Sequence, residues 1–285
     1  MGLKGSACTI VVMLVLTGIG SQKLDLGDSS VLTKYNIKNP DDVKQIADWG
    51  ERCRLNVGQD AVDDIKESFS NLTLCIGQHI NMNKLRHEIN SSIPRGELDL
   101  VFKKYCGRRD PLMGCVEDLS AKIERCASEP EQRDLSIIMK AIHAGIDFVC
   151  HNDGDRIALF MAEMGEDCIK NQMDNITECI KEEVPEIKDA AKNHMKFSTE
   201  NFALDEENCK KVNSMHHCVV KNTVKCSDPT PSNILDSLIT QVLKVTPCWQ
   251  TSSAYQGTGM SPTQYLLPHV LTLLAAALTA ANILL

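Results

Sequence analysis

Thirteen cysteines occur in this chain, and twelve of them, all outside the N-terminal apolar segment, fall into two sets of six. The first set is Cys53, Cys75, Cys106, Cys115, Cys126 and Cys150; the second is Cys168, Cys179, Cys209, Cys218, Cys226 and Cys248. Successive intervals are 22, 31, 9, 11 and 24 residues in the first set and 11, 30, 9, 8 and 22 in the second, so only the first interval differs greatly. Even numbers at recurring spacings indicate a disulfide frame built in an oxidising compartment. All twelve are therefore expected in bridges, and the chain is expected to use one six-cysteine unit twice.

Flanking residues support the repeat. Ala47-Asp48-Trp49-Gly50-Glu51-Arg52-Cys53 aligns with Ala162-Glu163-Met164-Gly165-Glu166-Asp167-Cys168, and Asn71-Leu72-Thr73-Leu74-Cys75-Ile76 aligns with Asn175-Ile176-Thr177-Glu178-Cys179-Ile180. Met113-Gly114-Cys115-Val116 faces His216-His217-Cys218-Val219, and Cys126 and Cys226 each precede a short acidic turn ending in Pro130 or Pro229. Repeat one is placed at 41–150 and repeat two at 155–248. The shorter first interval of repeat two amounts to about three helical turns, which predicts a trimmed helix. Spacing leaves the pairing open. A local Cys106–Cys115 bridge across the Gly107–Asp110 turn is geometrically possible, with Cys209 and Cys218 as its copy, but Cys150 returns near the same level.

Apolar periodicity predicts an all-α fold of about ten helices, five per repeat, with cysteines near helix ends or on buried faces. Val62, Ile65, Phe69, Leu72 and Ile76 alternate steps of three and four, as do Leu135, Ile138, Met139, Ile142, Ile146 and Val149. Asp110-Pro111 reads as an N-cap followed by proline, with Leu112, Val116, Leu119, Ile123 and Cys126 on one side. Ile157, Phe160, Met161 and Met164 form a further stripe. Ser232 is expected to cap a helix that buries Leu235, Leu238, Ile239 and Val242. An aromatic content of 4% and the absence of alternating β-branched runs fit the same class.

The ends read as processing signals. Residues 1–20 carry a single Lys4, an apolar run from Cys8 to Leu16, and small residues Gly18, Gly20 and Ser21, the pattern of a secretory signal peptide. The opening Met-Gly also fits N-myristoylation, which an exported cysteine-rich chain disfavours. Residues 21–40 form an N-terminal extension. Residues 249–265 form a polar spacer containing Ser252 and Ser253, and 266–285 an apolar tail without formal charge. Together these match a glycosylphosphatidylinositol signal, with Ser252 the preferred attachment site and Ser253 the second; the tail would be removed. A conventional spanning helix would carry flanking cations.

Three sequons, at Asn71, Asn90 and Asn175, become available for glycosylation in an exported chain. Asn71 and Asn175 occupy matching repeat positions. A net charge of −8 argues against nucleic acid as partner. His216-His217-Cys218 clusters three donors, but repeat one has Met113-Gly114-Cys115 there, so a bridged cysteine with surface histidines is the preferred reading and no metal is assigned. His151-Asn-Asp-Gly-Asp155 lacks the EF-hand order and reads as a turn with Gly154 or Asp155 at a helix start. No nucleophile elbow or His-Glu-x-x-His helix occurs, so no catalytic residue and no cofactor are assigned. The aliphatic and Met stripes could line an apolar cavity, although core packing explains them equally.

Gly96-Glu-Leu-Asp-Leu-Val-Phe-Lys-Lys-Tyr-Cys106, Asp147-Phe-Val-Cys150 and Gly154-Asp-Arg-Ile-Ala-Leu-Phe-Met-Ala-Glu163 resemble the insect 27 kDa hemolymph glycoprotein family over about residues 45–250. The resemblance implies a secreted, cysteine-rich, glycosylated protein and carries over no catalytic residue. The apolar tail departs from the soluble hemolymph form and favours the cell surface. The expectation is a non-enzymatic protein on the outer leaflet that binds another protein or an apolar small molecule. The alternatives are a soluble carrier of an apolar ligand and an enzyme with an unrecognised site.

Overall fold

The three-and-four rhythm is realised as helix, with no strand among the described residues. The computed structural model describes residues 40–185, 204 and 206–249, with side chains from Asp48 onward. In chain order the helices are α1 (Pro40–Asn56), α2 (Gln59–His79), α3 (Met82–Ser92), α4 (Leu98–Cys106), α5 (Arg109–Glu124), α6 (Glu129–Val149), α7 (Asp155–Ala162), α8 (Gly165–Glu183), α9 (Glu206–Thr223) and α10 (Thr230–Leu243). Single 3₁₀ turns, Ile93–Arg95 and His151–Gly154, precede α4 and α7. The signal peptide, nearly all of the extension, the spacer from residue 250 and the apolar tail lie outside the described residues. No described helix is long and apolar enough to cross a membrane.

The chain divides into two compact units that do not follow chain order. Among the described residues, unit one takes 40–81 and 110–139; unit two takes 82–109, 140–185, 204 and 206–249. Helix α6 contributes its first half to unit one and its second half to unit two.

In unit one, the stripe of α2 buries Val62, Ile65, Phe69 and Leu72, with Ile76 half-buried against them. Trp49 and Cys53 of α1, Cys115, Leu119 and Ile123 of α5, Cys126 and Leu135 complete this core. Each such side chain contributes about 1.5–3 kcal/mol of transfer free energy. Gly58, at φ 127°, permits the chain to reverse between α1 and α2 in a region closed to other residues. Helix α6 starts with a capping box: Glu131 accepts from the Ser128 backbone N–H at 2.6 Å and from Ser128 Oγ at 2.8 Å. Glu131 is only 1% exposed, and Arg52 of α1 donates to its other oxygen at 2.6 Å. A buried carboxylate is tolerated here because four lone-pair sites meet three donors, one of them charged.

In unit two, α8 packs on α9, α9 on α10, α4 on α7, and α3 on α4. Gly154, at φ 94°, is the N-cap of α7; a Cβ there would lie 2.6 Å from Phe102 Cβ and 3.4 Å from Cys106 Sγ. The expected helix start at Gly154 or Asp155 is thus realised. Where unit one buries an acid, unit two buries a base: Lys211 is 2% exposed and donates to Glu207 one turn earlier at 3.1 Å.

Several local expectations are corrected. Helix α5 begins at Arg109, so Asp110 lies inside its first turn and is not the N-cap; Met113 and Cys115 face inward while Leu112 and Val116 are half-buried. In the second half of α6 the buried residues are Ala141, Ala144 and Phe148, not Ile142, Ile146 and Val149. Small residues there permit close approach to α10, and a Cβ on Gly145 would lie 3.8 Å from Val242. Met164 is 58% exposed in a left-handed turn between α7 and α8, outside the stripe predicted for it. Ser232 is no cap: it lies buried inside α10 and accepts from Thr223 Oγ1 at 2.9 Å, whereas Asp228 accepts the Thr230 N–H at 2.7 Å. The Thr230 hydroxyl, and that N–H after it, hold the Asp228 carboxyl below its ordinary range.

Candidate functional site

All twelve cysteines are paired, with Cα–Cα distances of 4.8 to 5.9 Å, inside the span a disulfide bridges. The first set pairs Cys53–Cys126, Cys75–Cys115 and Cys106–Cys150. The second pairs Cys168–Cys226, Cys179–Cys218 and Cys209–Cys248. In both, the first cysteine meets the fifth, the second the fourth and the third the sixth. The local Cys106–Cys115 bridge and its copy do not form. Cys209 and Cys218 lie nine residues apart on α9, about 13 Å along the axis at 1.5 Å per residue, too far to bond.

Cysteines of the same rank in the two sets are paired alike but reached by different helical paths. Cys53 and Cys75 lie on two helices, α1 and α2, whereas Cys168 and Cys179 share α8. Across the shorter interval the second set thus has one continuous helix where the first has a helix, a turn and a second helix. Cys106 and Cys115 lie on α4 and α5, whereas Cys209 and Cys218 share α9. The helix ends nevertheless coincide. Helix α2 stops four residues after Cys75 and α8 four residues after Cys179, and the Ile80 and Val184 N–H groups return to Ile76 and Ile180 carbonyls, both at 2.8 Å. Cys126 and Cys226 follow α5 and α9, each donating its N–H to the carbonyl three residues back, at 3.0 and 3.1 Å.

The three sequon asparagines are exposed: Asn71 on α2, Asn90 on α3 and Asn175 on α8. Asn71 Nδ2 donates to Glu67 at 3.4 Å and Asn175 Nδ2 to Gln172 at 2.9 Å, contacts with neighbours on their own helices. Ser252 and Ser253 lie outside the described residues.

The His216-His217-Cys218 cluster separates in space. Cys218 is buried in its bridge, His217 is exposed, and His216 Nε2 meets Asp236 Oδ1 of α10 at 2.6 Å. Burial holds the His216 imidazole below its ordinary range, against the opposing pull of Asp236. Another donor group went unread in the sequence: the sulfurs of Cys75 and Cys115 and a ring nitrogen of His79 lie within 4.8 Å of one another. Its sequence signal is Cys75 and His79 one turn apart on α2. Near the capping box, burial raises Asp134 to about 6, against the pull of Arg133 and reinforced by Glu131. The signal for the box was Ser128-x-x-Glu131 ahead of an apolar run.

Comparison with known proteins gives a coherent set. The family described as "Protein of unknown function (DUF1397)" matches residues 41–248. The "27 kDa glycoprotein" of Bombyx mori is 34% identical over 212 residues, 73% of this chain and 89% of the relative. The "27 kDa hemolymph glycoprotein" of Manduca sexta is 30% identical over 243 residues, 84% of this chain and 95% of the relative. The "27 kDa hemolymph protein" of Galleria mellonella is 30% identical over 200 residues, 69% and 80% respectively. No solved structure matches.

Proposed function

The chain belongs to the insect 27 kDa hemolymph glycoprotein family, and on that premise we propose an exported, N-glycosylated helical protein held at the cell surface by a glycosylphosphatidylinositol anchor. It acts by binding, to another protein or an apolar small molecule, and performs no catalysis. It is a tandem duplication of one six-cysteine unit. The observation that carries the duplication is the common pairing order, first to fifth, second to fourth and third to sixth, in both sets. Two independent frames with the same order among the many that six cysteines allow argue for one ancestral unit. Exposure of Asn71 and Asn175 at matching places supports glycans on both copies.

Anchoring rests on the small residues Ser252, Ser253 and Ala254, the polar spacer and the uncharged stretch 266–285. Phosphatidylinositol-specific phospholipase C applied to intact expressing cells should release the protein, with an ethanolamine-bearing C-terminal peptide ending at Ser252 by mass spectrometry. Retention on cells after complete digestion of a control anchored protein sinks the anchor. Native mass spectrometry of the released protein then separates the two binding modes: a co-purifying lipid-sized mass marks a carrier, and its absence directs the search to protein partners.

A further inference from the structure

Cys75, His79 and Cys115 bring three metal-ligating atoms within 4.8 Å, and among the described residues this is the one such group. Two of them are joined by a disulfide. The matched bridge of the second set provides an internal contrast. Counting four residues on from the second cysteine reaches His79 in one case and Glu183 in the other, each the last residue of its helix. Cys75 is half-buried, whereas Cys179 and Cys218 are both buried. An attacking thiolate therefore reaches a sulfur of the first bridge more readily, and among the described residues only that bridge has a third donor atom within 4.8 Å of its sulfurs.

We propose that Cys75–Cys115 is a redox-gated metal site, which on reduction holds a thiophilic divalent cation such as zinc through two thiolates and the His79 imidazole. The reductant is a low-molecular-weight thiol. Two electrons and two protons convert the S–S bond to two thiols, while two molecules of the reductant become one disulfide. The cation then displaces the two thiol protons, and water completes a tetrahedral set. Placement makes this workable without unfolding. Cys75 and His79 lie one turn apart on α2, and Cys115 comes from α5. The metal thus ties the same two helices that the disulfide ties. Unit one meanwhile keeps its Cys53–Cys126 bridge.

The test uses the mature protein purified from expressing cells. Graded reduction with a water-soluble phosphine, which leaves as its oxide with oxygen from water, is followed by alkylation and peptide mapping, and separately by titration with Co(II). The expected result is labelling of Cys75 and Cys115 before Cys179 and Cys218. The partly reduced chain should take up one Co(II), with thiolate-to-cobalt charge-transfer absorption. His79→Ala should weaken binding at least about tenfold and alter the ligand-field bands, since even outer-sphere partners of a metal cost about 10- to 100-fold. Equal labelling of the two matched bridges overturns the proposal, as does a cobalt titration no different from that of the Cys75→Ser/Cys115→Ser chain. The labelling arm needs no variant, so a misfolded mutant leaves the proposal testable.

Discussion

The two sets of six cysteines reach one pairing order by unequal means. The second lies within unit two, on α8 and α9 and in the segments just beyond α9 and α10. The first is divided: Cys53–Cys126 and Cys75–Cys115 belong to unit one, and Cys106–Cys150 to unit two. A disulfide needs two Cβ atoms at the right separation and is indifferent to the path between them. One long helix and two shorter ones joined by Gly58 or Gly107 serve equally well, provided the helix ends beside the cysteines keep their register. What the contrast teaches is that one pairing order is compatible with different connecting elements.

The largest expected effect comes from the bridges themselves. Replacing either cysteine pair of the matched bridges Cys75–Cys115 and Cys179–Cys218 by serine should cost about 4 kcal/mol, nearly the same for both, because they close loops of 40 and 39 residues. Urea unfolding followed by circular dichroism measures this. A large inequality would break the equivalence of the two sets. Opening Cys106–Cys150 should lower hydrogen-exchange protection in α4 and α7 and spare α2 and α5; protection lost in α2 instead would contradict the division into units.

Gly154→Ala should cost about 3 kcal/mol, since it combines a left-handed φ with overlap on Phe102. A melting temperature within a degree of the parent's would show that the α4–α7 contact yields. Glu131→Gln should cost about 2 kcal/mol in unit one by weakening the capping box and the Arg52 pair. Restoration of stability on combining it with Arg52→Met would locate the loss in the pair. Asp134 supplies a pH test. Its folded-state value of about 6 lies above the unfolded carboxylate value, so the protonated form favours folding; that contribution is present below about pH 4 and lost as pH rises through 6. Asp134→Asn should therefore gain about 1 kcal/mol at pH 7.5, after allowance for solvent screening of a half-exposed group, and nothing at pH 3.5. A gain independent of pH would assign the effect to packing. Smallest are Asn71→Gln and Asn175→Gln, within about 0.5 kcal/mol each, read by a one-glycan loss of mass per substitution.

The all-helical class was legible because single amphipathic faces such as that of α2 repeat cleanly. The second half of α6 was not, since two of its three buried residues are Ala141 and Ala144, whose value lies in closeness and not in hydrophobicity, and only Phe148 carries an apolar signal. Met164 misled because a left-handed residue between two helices continues the stripe numerically while the chain turns away. Sequon positions were legible as motifs, whereas the exposure of all three asparagines is known only from their places on α2, α3 and α8. The pairing order could not be read, because intervals count residues along a path and bridges depend on where the path returns. For the same reason the donor group at Cys75, His79 and Cys115 stayed hidden: Cys115 joins it only through the packing of α2 against α5.

The nesting of Cys75–Cys115 inside Cys53–Cys126 also orders events during synthesis. At about 5–20 residues per second, a growing chain carries a free Cys75 for about 2–8 s before Cys115 follows it out, and Cys53 waits longer still. Those two thiols meet each other first, 22 residues apart, and disulfide formation proceeds over seconds to hours. Any Cys53–Cys75 link that forms in that interval has to be exchanged before the two nested bridges can close. Secretory yield, accordingly, should respond more to the host's capacity for disulfide exchange than to its capacity for oxidation.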